Sequence, residues 1–301
     1  MSISVGRATR VNGAVATIAD YAALTKPRVV SLLVVTGACG YLAGAAGHVR
    51  IAVLLAVMGG GALAAGGANA LNCAFDRDLD AVMARTRGRP IPDGRVRILN
   101  AVVLGIAMNA AAALWLDRSA NMLAAALALS GTAWYLVIYT AWLKRRSTQN
   151  IVIGGAAGCF PPLVGWAAAT GTLDATALTL AAVIFLWTPP HFWALATLLR
   201  RDYRRAGVPM LPAVVSVQRT ANQAFVYAVA TAVVSVWPIL WGGAGALYTV
   251  SATGLGGAFV WRAETFRRDA DAASARRLFR YSLVYLAALF VALVTDRMLA
   301  G

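Results

Sequence analysis

Long stretches with almost no charge alternate with short clusters of charged residues along the whole chain. The apolar stretches fall at residues 29–47, 51–75, 98–116, 121–142, 151–170, 175–199, 222–242, 243–261 and 281–295. Each is near or above the roughly 17 residues that a membrane-crossing helix needs. The pattern predicts nine transmembrane helices, the seventh and eighth separated only by a short glycine-rich turn at residues 242–245. Composition agrees. Apolar residues make up 60% of the 301 positions and charged residues 13%, with a mean hydropathy of +0.68, far from the usual make-up of a soluble domain.

A net charge of +15 would point to nucleic acid in a soluble protein, but its distribution here gives it another meaning. If the nine helices carry the chain from side to side, 24 of the 27 Lys and Arg residues fall on the side of the N-terminus, and only Arg50, Arg118 and Arg297 fall on the other. The positive-inside rule then places the N-terminus in the cytoplasm and the C-terminus outside. Nucleic acid is excluded as a partner, because the basic residues are divided among five membrane-proximal segments and form no recognised nucleic-acid module. The first 28 residues lack an apolar core followed by a small-residue cleavage site, so they do not read as a secretory signal. Asp20 and the modest length argue against an organellar transit sequence. Cys39, Cys73 and Cys159 lie within or at the edge of predicted spans without paired spacing, which favours apolar packing over metal ligation or a disulfide.

Candidate chemistry gathers where the spans meet the inner side. In NALNCAFDRDLDAVMARTRGRP, Asn72, Asp76 and Asp80 recur at i, i+4 and i+8. If the helix continues, they share one face with a drift of about 40° per step, and Asp78 points elsewhere. Two carboxylates and an amide suit a hard cation such as Mg²⁺, which completes its shell with water and substrate phosphate. Arg85, Arg87 and Arg89 stand close by in sequence and can pair with phosphate bidentately. The alternative reading is a juxtamembrane helix end whose charges face water and lipid headgroups.

A second acidic position, Asp202, sits among Arg200, Arg201, Arg204 and Arg205 after the sixth span. Both acidic positions follow the second member of a four-helix set, as two facing halves with an appended ninth helix would produce. TKPRV and LKRRSTQN place Lys26, Arg28, Lys144, Arg145 and Arg146 on the same side. They serve either as positive-inside anchors or as a cationic rim around a metal-bound diphosphate, where cations stabilise a departing anion. Two spans are expected to carry breaks, for GCFPPLVGW and LWTPPHFWA each set two prolines in an apolar run, where freed carbonyls are tolerated only against protein or a cavity. His191, directly after the second pair, is placed to bind a metal, contact a heme or hydrogen-bond a neighbouring helix. Gln149 and Asn150 are either polar partners at the mouth or caps of the fifth helix.

YAALTKPRV, NCAFDRDLDAVMARTRGRP, LKRRSTQNIVIGGAAGCFPPLVGW, TPPHFWALA and DYRRAGVPMLP together resemble the UbiA-type intramembrane prenyltransferases, and within them the branch that acts on heme. The likeness runs from about Tyr21 to the end, including RRLFRYSLVYLAALF. The Asn-x3-Asp-x3-Asp spacing alone indicates only the superfamily; the QNIVIGG, PPHFW and AGVPMLP blocks indicate the heme branch.

The resemblance implies an all-α, polytopic membrane fold of nine helices around a central cavity, with a cytoplasmic segment over residues 1–28 and one prenyltransferase domain over residues 29–301. It implies Mg²⁺ as cofactor, with Asn72, Asp76 and Asp80 as the first metal-diphosphate motif and Asp202 as part of the second. Only one acid stands in that second motif where the superfamily usually has two or more. The implied activity transfers the farnesyl group of farnesyl diphosphate to a vinyl group of heme b, with addition of water. Lys26, Arg28, Arg85, Arg87, Arg89, Lys144, Arg145 and Arg146 would bind diphosphate or heme propionate, and His191 would touch heme.

Membrane lipid surrounds such a protein, and a downstream heme A synthase is its implied partner. Arginine outnumbers lysine 25 to 2, the usage of a GC-rich, bacterial genome, so the inner membrane is the expected location. A prenyltransferase for a quinone precursor remains as an alternative, as do a transporter of an anionic metabolite and a scaffold for oxidase assembly.

Overall fold

The computed structural model describes residues 17–300, so Arg7 and Arg10 lie outside the described residues. A short helix, α1 (Ile18–Thr25), leads into α2 (Pro27–Ala45) and α3 (Ile51–Phe75). α4 (Arg77–Val82) continues α3 after a bend, and α5 (Ile98–Ser119) returns through the membrane region. α6 (Met122–Ala133) extends as a π-helix over Trp134–Leu143. α7 (Asn150–Gly154), a 3₁₀ turn over Gly155–Cys159 and α8 (Phe160–Thr170) form the next rod. α9 (Ala175–Leu198), α10 (Arg200–Arg205) and α11 (Leu211–Val214) follow, then α12 (Val217–Ser235) with a 3₁₀ extension over Trp237–Trp241, α13 (Ala246–Asp269) and α14 (Ala272–Ala300).

Nine long helical rods result among the described residues, and eight of them are long and apolar enough to cross a membrane. α13 fills the place of the eighth predicted span. It is 24 residues long but carries Arg262, Glu264, Arg267 and Arg268 in its second half. The other boundaries follow the apolar pattern closely at the second, third and sixth spans. They overrun it at α12, α13 and α14, because charge does not end a helix and capping does. Ser216 caps α12 by accepting from the Arg219 N–H, and α13 ends only at Ala270, whose φ of 48° turns the chain back into α14.

Neighbouring rods touch in the order α2, α3, α5, α6, α8, α9, α12, α13 and α14, and α14 returns to α2. One buried cluster joins α2, α3, α5, α6 and α8; a larger one joins α8, α9, α12, α13 and α14. The outer faces carry exposed apolar side chains such as Leu32, Val103, Val226, Val250 and Val291, as a surface solvated by lipid tails does. Association in such a solvent depends on close packing and hydrogen bonds rather than on hiding apolar surface. Two contacts show the means. A Cβ on Gly165 of α8 would stand 2.0 Å from the Gly37 carbonyl of α2. One on Gly67 of α3 would stand 2.7 Å from the Gly105 carbonyl of α5.

The two proline pairs behave differently. Pro161 and Pro162 open α8, where a missing N–H costs little. Pro189 and Pro190 lie inside α9, which stays helical from Ala175 to Leu198 with both prolines buried. The expected break in the sixth span is therefore absent, and α9 passes unbroken through its proline pair because protein packs against it on that side.

Candidate active site

The first acidic motif begins inside the apolar end of α3. α3 stops at Phe75, and Asp76 takes φ −90° and ψ 7° as its cap. Helical bonding nevertheless runs through the bend: Asp76 N–H donates to the Asn72 carbonyl at 2.9 Å and Asp80 N–H to the Asp76 carbonyl at 2.8 Å. The i, i+4, i+8 spacing therefore keeps its meaning. Asn72, Asp76 and Asp80 are 2%, 1% and 4% exposed, while Asp78 faces outward, where Arg145 grips both its oxygens at 2.6 and 2.7 Å. That guanidinium holds the Asp78 carboxyl down at about 2.

Each residue of the buried triplet meets its own cation. Lys26 Nζ donates to Asn72 Oδ1 at 2.7 Å, Lys144 pairs with Asp76 Oδ2, and Arg89 Nη1 donates to both Asp80 oxygens at 2.9 and 2.7 Å. Asn72 Nδ2 links the triplet sideways, donating to Asp76 Oδ2 at 2.8 Å and to Thr140 Oγ1 at 3.0 Å. Thr140 is held by the π-helical segment, its own hydroxyl donating to the Tyr135 carbonyl at 2.8 Å. Such π-segments concentrate at functional sites.

Lys26 reaches Asn72 because the chain breaks at that lysine. Its φ of 54° and ψ of 62° are left-handed, a strained state for a residue with a Cβ and an unfavourable one before proline. Strain of this kind costs about 1–3 kcal/mol and persists where surrounding structure enforces it. Burial, together with the like charges of Arg89 and Lys144, lowers the Lys26 ammonium to about 8. A bound anion would offset that cost.

The second motif meets the first through apolar contact. Tyr203 of α10 packs in one buried cluster with Met83, Ile151, Ala196, Val208 and Met210, and Tyr139 and Phe192 pack against it. Burial raises the Tyr203 phenol. Asp202 is half-buried and makes no ion pair among the described residues. Nor does it join Asp76 and Asp80 in a group of three acidic, His or Cys side chains able to hold a metal, for no such group exists among the described residues.

The triplet still fits Mg²⁺. Its donors are hard oxygens, and Asp76 Oδ1 is buried with no hydrogen-bond partner. One or two carboxylates suffice where substrate phosphate completes the shell.

Among the basic candidates, the structure brings Lys26, Arg89 and Lys144 into the network and Arg145 onto Asp78. Arg28, Arg85, Arg87 and Arg146 are exposed and make no ion pair among the described residues. Asn150 is fully buried with an unpartnered Oδ1, and Gln149 is exposed. His191 is 8% exposed and lies between α9 and α14. Thr140 and Tyr203 escaped the sequence reading. Thr140 meets Asn72 and Tyr203 packs with Met83 and Ile151, partners far off in sequence, and a lone Thr in an apolar run or a lone Tyr among arginines carries no local signal.

A polytopic bundle with an Asn–Asp–Asp triplet and a cationic rim at one helix end defines a class. The description of the UbiA prenyltransferase family matches residues 33–291, and the chain belongs to that family. Among its curated relatives, the protoheme IX farnesyltransferase of Roseiflexus sp. (strain RS-1) is 48% identical over 278 residues, covering 92% of this chain and 52% of that protein. The one from Gloeobacter violaceus is 47% identical over 285 residues, covering 93% and 92%. The chain thus spans about half the length of the Roseiflexus relative and nearly all of the Gloeobacter one.

Solved structures share the fold. A digeranylgeranylglyceryl phosphate synthase superposes with a TM-score of 0.79 at 16% identity, covering 93% of this chain and 98% of that one. A UbiA homolog from Archaeoglobus fulgidus bound to DMAPP and Mg²⁺ gives 0.70 at 14% identity, covering 91% and 99%.

Proposed function

We propose that this multi-pass membrane enzyme transfers a farnesyl group from farnesyl diphosphate to a vinyl group of heme b, with water adding to the product. The observation that carries the reading is the buried Asn72–Asp76–Asp80 triplet, each member in contact with its own cation. The names of the relatives supply the heme and farnesyl substrates. The whole chain from residue 29 acts as one domain in the bacterial inner membrane, its ninth crossing made by α13, with its N-terminus and the mouth of the site in the cytoplasm.

Asn72, Asp76 and Asp80 would hold Mg²⁺, with Asp202 of the second motif as a further oxygen donor. When bound, the metal neutralises charge on the diphosphate as it leaves. Lys26, Arg89 and Lys144 release their present partners and take the phosphate oxygens. Arg28, Arg85, Arg87, Arg145 and Arg146 form the outer rim that draws in the diphosphate or a heme propionate. The charge count favours this order. Three cations against two carboxylates leave the apo site net positive, so it repels a bare metal ion and attracts a metal-bound diphosphate.

The bond from farnesyl C1 to the diphosphate oxygen breaks, and the terminal vinyl carbon of heme bonds to C1. Water adds to the adjacent carbon and releases a proton at the mouth, giving a hydroxyethylfarnesyl side chain. Apolar walls keep water from the allylic cation until the new carbon–carbon bond has formed. A downstream heme A synthase that oxidises the product further is the partner proposed for it.

Diphosphate release tests the substrate pair. Membranes carrying the protein should release diphosphate from farnesyl diphosphate when heme b and Mg²⁺ are supplied. Release with 4-hydroxybenzoate but not with heme b would assign the enzyme to quinone precursors instead.

A further inference from the structure

The last helical hairpin carries a cationic groove that takes no part in the acidic site. Six arginines and three acids stand from Arg262 to Arg280. Every acid there is already engaged. Glu264 pairs with Arg267 and Arg268, Asp269 pairs with Arg277 at 3.3 Å, and Asp271 caps α14 by accepting the Ser274 N–H at 2.7 Å. Arg276 and Arg280 are exposed and meet no carboxylate among the described residues. With Ala272, Ala273 and Arg277 they line a groove of about 450 Å³.

The groove sits at the headgroup level of the membrane. At 3.6 residues per turn, Arg276, Arg280, Leu283, Val284, Ala287 and Val291 fall within about 100° of one another on α14, and all six are exposed. One continuous face therefore runs from two arginines down an apolar stripe solvated by lipid tails. Trp261 of α13 marks where the two parts meet. Phe259 stacks on Tyr281 and Tyr285, which sets Trp261 and Arg262 level with Arg280 in the antiparallel hairpin. Trp261 is exposed, and Arg262 lies over its ring at 4.4 Å. Tryptophan at the edge of a span collects at the headgroup layer, and long cationic side chains extend toward it.

The geometry points to a binding site for one anionic phospholipid, with Arg276 and Arg280 on its phosphodiester and its acyl chains along Leu283, Val284 and Val291. Two guanidinium groups one helical turn apart each supply charge-assisted hydrogen bonds to phosphate oxygens. A zwitterionic lipid brings a cation of its own to the arginines and is disfavoured, and a free phosphate leaves the apolar stripe unused. α14 closes the ring by packing on α2, α9 and α13, so an occupied groove braces the closing helix from the lipid side.

Native mass spectrometry of the delipidated full chain, titrated with phosphatidylglycerol or with phosphatidylcholine of the same acyl chains, tests the site. The wild type should bind a first phosphatidylglycerol at least about tenfold more tightly than phosphatidylcholine, as two basic groups at a headgroup allow. The double variant Arg276→Gln, Arg280→Gln should erase that preference; both side chains are exposed, so the fold should stand. The double variant Arg201→Gln, Arg205→Gln removes equal charge from exposed positions of α10 and should keep it. Glycerol 3-phosphate at the same concentrations should not displace the lipid. Equal affinity of the wild type for the two lipids overturns the inference without recourse to a variant. A preference that survives loss of Arg276 and Arg280, or that falls equally in the α10 variant, overturns it too, the latter by tracing it to net charge. Full displacement by glycerol 3-phosphate would make the groove a phosphate site and overturn the lipid assignment. None of these outcomes bears on farnesyl transfer.

Discussion

Asp76 carries two oxygens with opposite fates: Oδ2 is held by Lys144 and Asn72, and Oδ1 is buried without a partner. Burying an unpaired acceptor is costly, so the site is poised for a ligand that uses Oδ1. Lys144 opposes a bare cation there and favours one bound to an anion. Replacing it, as Lys144→Met, should tighten binding of Mn²⁺ alone at least about tenfold, or ~1.4 kcal/mol, while weakening farnesyl diphosphate binding. Paramagnetic resonance of free Mn²⁺ measures the first effect, and an unchanged Mn²⁺ affinity would contradict the role given to Lys144. At this scale the triplet was legible, because a four-residue spacing survives the bend at Asp76. The choice among cations was not. Lys26 and Arg89 reach the triplet while Arg28, Arg85 and Arg87 do not, and that depends on a left-handed break and a loop geometry that arginine-rich sequence does not encode.

Helix packing brings these residues together, and glycine sets how closely. α2 and α8 approach until Gly165 has no room for a Cβ beside the Gly37 carbonyl. Gly165→Leu should force the pair apart and cost about 1–3 kcal/mol, the usual range for overpacking. Gly61→Ala, where a Cβ would meet nothing within 4 Å, should leave the thermal unfolding midpoint in detergent unchanged. Equal midpoints for the two variants would mean that the helices repack freely. Apolar run lengths marked most of these elements in advance. The extensions of α12, α13 and α14 past their apolar segments were hidden, since they depend on caps at Ser216 and Ala270 that the hydrophobic pattern does not register. The continuity of α9 through Pro189 and Pro190 was hidden as well, since it depends on neighbours that surround it.

Taken whole, the molecule sets its acidic motif, its buried cations and the α10 segment at one end of a ring of helices whose outer faces are apolar. On the proposed function, that polarity would let the enzyme take a charged diphosphate from water and an apolar partner from the bilayer. The central claim is that the triplet at this end drives farnesyl transfer to heme b. The most direct test is mass spectrometry of hemes extracted from membranes incubated with heme b, farnesyl diphosphate and Mg²⁺, comparing the wild type with Asp76→Asn at equal folded protein. The account expects a farnesylated, hydrated heme from the wild type and at least a hundredfold less from the variant, in keeping with the loss of a main electrostatic group. Equal product from both, or none from a folded and heme-supplied wild type, would contradict it.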